Sequence, residues 1–417
     1  MAKPKLALIP ATQGSKLYSV LPADGVGDFN FSRNSAATRI NKDGLIETVA
    51  VGKSRLNYPL IDGVVNGCPS HLLEPARTNL VTNSEDLSYF SKTNITEVNG
   101  NQVTPNGTIG SIKITPTSSA ITQLQISSLT IGASYSFSFF VKKAEASHLI
   151  INQAGSAAQK ISYDIGNLSY IGISGVDANI VSYGNEWVRV EYSVNSLTYN
   201  NIRIILSDGS DNYPYNPPIG DGLYLWGFQL EQGSFPTSYI PNYGTSAGIT
   251  RVAETANGAG DASTFNDSEG VLMAEISALT NSGGKWISLS NGSTSQRISF
   301  ANENGNIRVY IFNGVVIWDY IYYNINTITS NKISLKYKSG DYSLFINGFK
   351  INTSTSSLVA SGIDSLQFNS GGGSGNFEGN TKQIQYFDSA LNDSDLEKLT
   401  SWTSFTAMAN AQSYTII

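Results

Sequence analysis

Few residues in this sequence could perform acid–base or nucleophilic chemistry. Among its 417 residues there are two histidines, His71 and His148, and one cysteine, Cys68. A Ser-His-Asp arrangement needs a histidine base, and a tetrahedral zinc site draws on several histidine or cysteine ligands. The sequence has no nucleophile-elbow, phosphate-loop or dinucleotide-binding pattern. We therefore interpret both histidines as structural and Cys68 as a small buried apolar residue with no disulfide partner.

Glycoside hydrolysis would need only two carboxylates at a suitable separation. In the strand-like segments, however, acidic residues stand singly, as Glu191 does in VEYSV. The acidic residues of DSDLE (393–397) belong to the start of a helical segment. We therefore expect no enzymatic activity, and a polysaccharide-degrading function is the least favoured interpretation.

Carbohydrate binding needs aromatic rings, on which the C–H faces of sugars stack, and polar neighbours that hydrogen-bond to hydroxyls. Two segments offer both. The loop SDGSDNYPYNPPIGDG (207–222) contains Tyr213, Tyr215, Asp211 and Asn212, and the run VIWDYIYYN (316–324) places Trp318, Tyr320 and Tyr322 on one alternating face. Both sets are candidate carbohydrate-binding residues. The alternative for the loop is a subunit contact, because tyrosine-rich surfaces serve protein interfaces equally well, and the alternative for the run is core packing.

The elements that would position these residues are almost all strands. Short alternating runs rich in β-branched and aromatic residues recur about every ten residues, bounded by Gly, Asn, Asp and Ser. Tight hairpins are predicted at Asp43-Gly44, Ser339-Gly340-Asp341 and Asn347-Gly348. This spacing is typical of antiparallel sandwiches. The sequence therefore predicts an all-β protein.

One short helix is predicted near the C-terminus, in LNDSDLEKLTSW (391–402). Ser394 and Glu397 have the spacing of a capping box, and Leu396, Leu399 and Trp402 fall on one face. We expect this helix to pack against the edge of a sandwich.

The segment LYLWGFQLEQGSFPTSYIP (223–241) combines a strand with a proline-punctuated exit. Strict alternation would place Tyr224, Trp226, Phe228 and Leu230 on one face and Leu223 and Leu225 on the other, so we expect a central strand buried on both sides. Pro236 and Pro241 prevent further ladder pairing, and Phe235, Tyr239 and Ile240 can fix the exit to the sandwich surface. We interpret 231–241 as an architectural strap.

Breaks in this pattern divide the chain into an N-terminal attachment segment (1–75), a first sandwich (76–243), a linker (244–262), a second sandwich (263–406) and a tail (407–417).

Charged residues make up only 14 % of the chain, whose net charge is −6. Residues 1–80 carry nine Lys/Arg and six Asp/Glu, whereas the remainder is acidic. No dense basic stripe suggests nucleic-acid binding, and no run approaches the ~18 apolar residues of a membrane span.

Three stretches carry a resemblance to known proteins. FNFSRNSAATRINKDGLIETV with CPSHLLEPARTNLVTNSEDLSYF (29–49 and 68–90) resembles the opening module of virion proteins of tailed bacteriophages. LYLWGFQLEQGSFPTSYIPNYGTSAGITR (223–251) resembles the end of the carbohydrate-binding-module-like jelly roll in such proteins. KYKSGDYSLFINGFKI with TKQIQYFDSALNDSDLEKLTS (336–351 and 381–401) is similar to the last strands of a concanavalin A-like or laminin-G-like sandwich.

This resemblance implies a fibre, spike or decoration protein on the exterior of a virion, synthesised in the host cytoplasm. It implies that residues 1–75 dock to other virion proteins, that the chain forms a homotrimer, and that Trp187 is a core residue. Jelly rolls of this kind often hold a structural calcium ion, for which Glu85 and Asp86 are the candidate ligands.

Three functions remain open on the sequence. The first is a virion fibre or spike that binds host-surface carbohydrate for attachment. The second is a structural capsid or tail decoration protein that uses the same surfaces for subunit contacts, and the third is a polysaccharide-degrading tailspike. The absence of a catalytic constellation favours the first two, and no cofactor is expected beyond the structural calcium.

Overall fold

The computed structural model describes residues 2–8, 12–13, 16–154, 159–172, 175–210, 218–403 and 407. Over these residues the chain is nearly all β, with a single short helix, which confirms the expected fold class. No helix in these ranges is long and apolar enough to cross a membrane.

The strands of the N-terminal quarter are β1 Leu6–Leu8, β2 Thr12–Gln13, β3 Lys16–Leu17, β4 Phe29–Ser32, β5 Ala37–Ile40, β6 Ile46–Val49, β7 Arg55–Asn57, β8 Leu60–Ile61, β9 Val64–Val65, β10 Ser70–Leu73, β11 Arg77–Asn79, β12 Ser91–Thr93 and β13 Ile95–Asn99. Those of the middle are β14 Ile112–Pro116, β15 Gln123–Ser127, β16 Tyr135–Lys143, β17 His148–Asn152, β18 Ile161–Asp164, β19 Ser169–Gly172, β20 Asp177–Ser182, β21 Trp187–Val194, β22 Asn201–Ser207, β23 Leu223–Gln232, β24 Ile249–Arg251 and β25 Thr255–Asn257. Those of the C-terminal part are β26 Glu269–Ala278, β27 Gly284–Ser290, β28 Gln296–Glu303, β29 Asn306–Asn313, β30 Val316–Tyr322, β31 Asn331–Lys338, β32 Tyr342–Ile346, β33 Phe349–Ser354, β34 Ser365–Gln367 and β35 Gly379–Phe387, followed by the helix α1 Asp393–Thr400.

The first sandwich consists of two six-stranded antiparallel sheets. One has the order β12-β15-β22-β17-β18-β19 and the other the order β13-β14-β23-β16-β21-β20. Their inner faces enclose an aromatic core that includes Phe137, Phe139 and Phe228. Trp187 is buried as expected, but in a separate cluster with Phe140 and Trp226. Its indole N–H donates to the Val103 carbonyl oxygen at 2.7 Å.

The second sandwich pairs an eight-stranded sheet with a five-stranded sheet. The larger sheet has the order β33-β32-β31-β26-β35-β10-β7, with β1 also paired to β35, and the smaller has the order β30-β29-β28-β27-β34. Three strands of the larger sheet therefore come from residues 1–75. A further N-terminal strand, β4, pairs with β25.

Residues 1–75 are consequently part of the folded body, unlike the separate attachment segment that the sequence predicts. The predicted linker, 244–262, also differs from expectation, because it contains β24, which pairs with β11, and β25. Its small polar residues indicated a flexible connection, but the partners that order it lie about 170 to 225 residues earlier in the chain. Local composition carries no signal of such distant pairing.

A buried ionic cluster holds these segments together. It consists of Arg33, Arg55, Glu74, Arg251 and Glu254, whose side chains are at most 3 % exposed. Arg33 contacts Glu254 at 2.7 Å, and both Arg55 and Arg251 contact Glu74 at 2.8 Å. Arg55 also pairs with Glu254. Burying charges is tolerated only when they are paired and hydrogen-bonded, and here each carboxylate meets two guanidinium groups.

Strand β23 is central and buried on both sides, as the sequence predicts, but its faces are exchanged halfway along. Trp226 pairs with Phe140 and Gln229 with Ser138, so β23 has one extra residue at this point. Gly227 has φ 70°, which places this glycine in a β-bulge. Phe228 therefore lies in the same core as Leu225, whereas Trp226 faces outward, toward the strap.

The strap, 231–241, closes over this outward face. Tyr239 packs with its ring centroid 4.9 Å from that of Trp226, and Ile240 is buried. The Arg77 guanidinium lies 4.8 Å from the centroid of the Phe235 ring. The predicted anchoring by Phe235, Tyr239 and Ile240 is confirmed.

Local turns follow their sequence signals, with one correction. Asn347 (φ 51°) and Gly348 (φ 88°) close the β32–β33 hairpin. Helix α1 is capped by Asn392, whose side chain accepts a hydrogen bond from the Asp395 amide, and not by the predicted Ser394. Asn is as good an N-cap as Ser, and the helix begins two residues earlier than the predicted box requires. Its Leu396 is buried, and the helix contacts the three edge strands β31–β33.

Candidate functional site

The structure describes only one of the two predicted carbohydrate-binding sites. Tyr213, Tyr215, Asp211 and Asn212 lie outside the described residues. The strand site is described, and its aromatic residues face the interior of the second sandwich. This second finding corrects the interpretation of Trp318, Tyr320 and Tyr322 as an exposed platform.

Trp318 is only 7 % exposed and lies edge-to-face with Tyr342, with ring centroids 6.1 Å apart. Tyr320 and Tyr322 are half-buried against the same core. Alternation correctly places the three rings on one face, but a period of two does not say which face is inside. Because β30 is an edge strand, its aromatic side chains fill the margin of the core. The alternative of core packing therefore describes these residues.

Glu85 and Asp86 engage hydrogen-bond donors of the protein itself. The Glu85 carboxylate accepts from the Tyr243 hydroxyl at 3.3 Å, and burial raises the pKa of Glu85. Asp86 is exposed and accepts from the amide of Ser88 at 2.8 Å. The described ranges contain no group of three or more His, Cys, Asp or Glu residues that could hold a metal ion. The geometry thus gives a calcium ion no carboxylate cluster in this part of the chain.

The other chemically distinctive residues also have structural surroundings. His71 is fully buried between the rings of Phe31 and Phe368, with centroid distances of 5.9 and 6.1 Å. Burial, together with the charge of Arg55, lowers the pKa of His71 to about 3, so the ring is neutral. Cys68 is exposed, which corrects its interpretation as a buried residue.

A large concave feature of the described residues is a groove between the two sandwiches, which we call the central groove. Its larger cavity has a volume of 560 Å³ and lies between strands β20 and β21, the strap, and the segment that follows β26. Its polar lining consists of Asp177, Asn179, Glu191, Ser193, Ser234, Thr280 and Asn281. A smaller cavity of 190 Å³ shares Pro236 and Leu279 with it.

The acidic side of the groove is held in place by its neighbours. In the β20–β21 register, Asn179 lies opposite Glu191 and Asp177 opposite Ser193. The Asn179 amide donates to the Glu191 carboxylate at 3.2 Å, and an Arg189 guanidinium nitrogen lies 3.5 Å from it. These contacts fix an array of carboxylate, amide and hydroxyl groups on one wall.

The strap supplies the apolar side. Phe235 and Pro236 line the larger cavity. One face of the Phe235 ring carries the Arg77 guanidinium, which restricts the orientation of the ring. The groove therefore combines a fixed aromatic ring with convergent polar groups, which is the pattern of a small-molecule binding site.

The lining of the smaller cavity includes Glu74, which also belongs to the buried ionic cluster. Burial alone would raise its pKa, but Arg251 and Arg55 outweigh that effect and lower the pKa of Glu74 to about 2. Its carboxylate accepts hydrogen bonds from the amide and hydroxyl of Ser238 at 2.8 and 2.6 Å. The strap is thus anchored directly beneath the groove.

Sequence reasoning did not identify this groove. Its walls come from residues 177–193, 234–236, 279–281 and 328, which no local motif connects. The proline-punctuated strap was the only local signal, and it indicated a structural element.

No family model matches this sequence, and no curated protein matches it. Among solved structures, the chain is similar to the CBM40 module of a Ruminococcus gnavus IT-sialidase bound to α2,3-sialyllactose. The two are 18% identical, the match covers 33% of this chain and 84% of that chain, and the TM-score is 0.28. It also extends to domains LG4–5 of the mouse laminin α1 chain, with 10% identity, 66% and 89% covered, and a TM-score of 0.24. A candidate carbohydrate-binding protein from Bacteroides ovatus ATCC 8483 gives 13% identity, 67% and 79% covered, and a TM-score of 0.27. These similarities are too distant to transfer a ligand to this chain.

Proposed function

We propose that this protein is a non-enzymatic virion protein of a tailed bacteriophage that binds host-surface carbohydrate in the central groove. The observation that carries the binding function is the 560 Å³ cavity, in which Phe235 lies across from a wall of carboxylate, amide and hydroxyl groups. The sequence resemblance supports the location on the virion exterior.

The chemistry of the groove suits a glycan. The C–H face of a pyranose ring can lie on Phe235, while its hydroxyls donate to Asp177 and Glu191 and accept from Asn179 or Asn281. Leu279 and Ile328 add apolar lining to the same cavity. A sugar is one of few ligands that present an apolar face and many hydroxyls at once.

The absence of catalysis is part of the proposal. Glu191 already accepts a hydrogen bond from Asn179 and pairs with Arg189. This arrangement suits an anchored hydrogen-bond acceptor, whereas hydrolysis needs one carboxylic acid that can donate a proton. Incubation of the protein with the glycan it binds should release no reducing ends.

Attachment to the particle is proposed to use the exposed part of residues 1–75. The body of this segment is built into the second sandwich, but the β8–β9 hairpin projects apolar side chains, with Ile61 42 % and Val64 67 % exposed. We further propose a homotrimer. Light scattering at micromolar concentration should give three times the 44.8 kDa of one chain, and a monomeric mass would contradict this.

The deciding experiment is a binding screen of the purified protein against host-surface polysaccharides. Wild-type protein should bind one of them saturably, and Phe235→Ala should weaken that binding about tenfold, or ~1.4 kcal/mol. Phe349→Ala serves as the matched control, because this ring is 69 % exposed on the distant strand β33. The Tyr213→Ala/Tyr215→Ala variant tests the loop in the same assay.

The outcomes separate the candidate functions. Binding lost only in Phe235→Ala supports the groove, and binding lost only in the tyrosine variant moves the site to the loop. If folded protein binds no glycan, the structural decoration function replaces this proposal. Phage adsorption in the presence of excess purified protein tests attachment itself, which should be blocked by wild type and not by Phe235→Ala.

A further inference from the structure

The outer face of the five-stranded sheet of the second sandwich carries a second group of aromatic and charged residues. It consists of Trp286 on β27, Arg297 on β28, and Arg308, Tyr310 and Phe312 on β29, and we call it the arginine–aromatic face. The intervening residues of these strands, such as Ile298, Val309 and Ile311, are buried in the core. Alternation therefore directs the five side chains away from the core.

The rings and guanidinium groups of this face are stacked together. The Arg297 guanidinium carbon lies 5.0 Å from the centroid of Trp286 and 4.7 Å from that of Tyr310. Arg308 lies 5.0 Å from the Tyr310 centroid. Tyr310 and Phe312 are nearly parallel, with an interplanar angle of 13° and centroids 5.9 Å apart. Two half-buried rings thus lie side by side in similar orientation next to a cation.

The two arginines differ in how their charge is compensated. Arg308 forms a two-pronged pair with Asp319, at 2.9 and 2.8 Å, and contacts Glu303 at 2.9 Å. Arg297 donates to the carbonyl oxygen of Ser370 at 2.8 Å, and no carboxylate of the described ranges lies within ion-pair distance of it. Its Nε is buried without a hydrogen-bond partner in the described part of the chain.

Most arginines of the described ranges pair with a carboxylate, and Arg297, like Arg77, does not. The chain carries a net charge of −6, and the buried arginines of the ionic cluster all meet carboxylates. Burial lowers the pKa of Arg297, in line with a cation that lacks its counter-ion. A planar guanidinium is suited to a carboxylate because it can form two parallel hydrogen bonds.

The loop beside this cation has almost no side chains. Residues 370–375 read SGGGSG, and nothing lies within 4 Å of the position that a Cβ of Gly373 would occupy. At Gly375, by contrast, a Cβ would lie 2.6 Å from Cδ1 of Trp286. The loop backbone therefore packs closely on the tryptophan at Gly375, whereas the position of Gly373 is open.

We propose that the arginine–aromatic face binds a sugar that carries a carboxylate, a uronic or a sialic acid. Arg297 pairs with the carboxylate, and the Tyr310 and Phe312 rings contact the C–H face of the sugar. This site differs from the central groove in its location and in the charge of its ligand. Either proposal can therefore be disproved without affecting the other.

The test uses calorimetric titration of the full chain with an oligogalacturonate and with the same oligosaccharide after reduction of its carboxylates to alcohols. The acidic form should bind at least tenfold more tightly than the reduced form, and Arg297→Gln should remove that difference. Arg297→Lys keeps the charge but not the paired hydrogen bonds, and should retain part of the preference. Lys338→Gln, which alters an exposed pair with Glu269, is the control for loss of a surface cation.

Each outcome decides the matter. Equal binding of the acidic and reduced forms, or an unchanged preference in folded Arg297→Gln, overturns the proposal. Binding of poly-glutamate as tight as that of the oligogalacturonate would also overturn the proposal, because it would show attraction by charge alone. Loss of oligogalacturonate binding in Phe235→Ala would overturn it as well, because that result would place the acidic sugar in the central groove. A sialic acid glycoside titrated in parallel distinguishes the two sources of the carboxylate. Neutral glycan binding lost in Phe235→Ala tests the groove independently.

Discussion

Arg55 and Glu254, 199 residues apart in sequence, form a fully buried ion pair in which the Arg55 Nε donates to the Glu254 carboxylate at 2.9 Å. Glu254 also accepts from the backbone amide of Glu74 at 3.0 Å. The segment after the first sandwich is thereby joined to residues 1–75 by charge-assisted hydrogen bonds. The junction between the two sandwiches is polar and buried, which makes it sensitive to the loss of any one partner.

Removing one charge from this cluster should be costly. We expect Glu254→Gln to lower the free energy of unfolding by about 3–5 kcal/mol, because buried Arg33 would lose the carboxylate it pairs with and buried Arg55 would lose one of its two. Urea denaturation measures the change. Glu47→Gln is the control, since Glu47 pairs with Arg39 at the surface and should contribute less than about 1 kcal/mol. A loss of similar size in both variants would contradict the structural importance of the cluster.

The integration of residues 1–75 can be tested by truncation. A chain that begins at residue 76 should be unfolded or aggregated, because it lacks β1 and β10, which pair with β35 at the centre of the second sandwich. The exposed edges of β35 would also invite non-native pairing. Circular dichroism and gel filtration check the result. A soluble, cooperatively folding product would show that the segment is dispensable.

Acid should destabilise the protein through His71. Its folded pKa is about 3 and its unfolded value 6.5, so the unfolded state binds more protons between these values. Stability from this group is present above pH 6.5 and is lost as the pH falls toward 3, by up to ~1.4 kcal/mol per pH unit. Unfolding free energies measured between pH 7 and 4.5 should decline, and they should decline less in His71→Phe.

The comparison with His71→Phe is needed because other buried groups also titrate, and two buried carboxyl groups act in the opposite direction to His71. Burial raises the pKa of Glu231 and of Glu378, so protonation of these groups favours the folded state as the pH falls. Glu231 and Glu378 are present in both wild type and His71→Phe, so their contributions cancel when the two pH profiles are subtracted. If the two pH profiles run parallel, His71 does not titrate as described.

The β-bulge in β23 should depend on Gly227. Its φ of 70° disfavours any side chain, and a Cβ there would lie 2.7 Å from a carbon of the Phe140 ring. We expect Gly227→Ala to destabilise the protein by more than ~1 kcal/mol beyond the same change at Gly314, which has φ 69° and open space around it. Thermal unfolding of both variants measures the steric contribution separately from backbone strain. Equal losses would show that Phe140 moves aside freely.

Features set by neighbouring residues could be predicted from the sequence. The Asn347-Gly348 turn follows from the positive φ angles that these two residues tolerate. The burial of β23 follows from its run of aromatic and aliphatic residues. Its exchange of faces does not follow from alternation, although a glycine inside a strand is the usual signal of a bulge.

Features that depend on distant pairing could not be predicted. Nothing near Leu6 indicates that it lies opposite Tyr386, and nothing near Trp318 indicates which side of β30 is covered. The central groove is the same kind of case, because its two walls meet only after both sandwiches have formed. Arg297 could have been noticed as an arginine in a strand, but its missing counter-ion is visible only in three dimensions.

The pairing of β1 and β10 with β35 also sets an order of events during synthesis. Strands β12 to β23 can complete the first sandwich as soon as they leave the ribosome, since they pair with one another. Residues 6–8 and 70–73 emerge before them, yet must wait until residue 387 has been translated to find their partner. A newly made chain therefore carries β1, and the edge of β10 that is not paired with β7, without their partner β35 for most of its translation. During that time a chaperone or the finished sandwich must shield them.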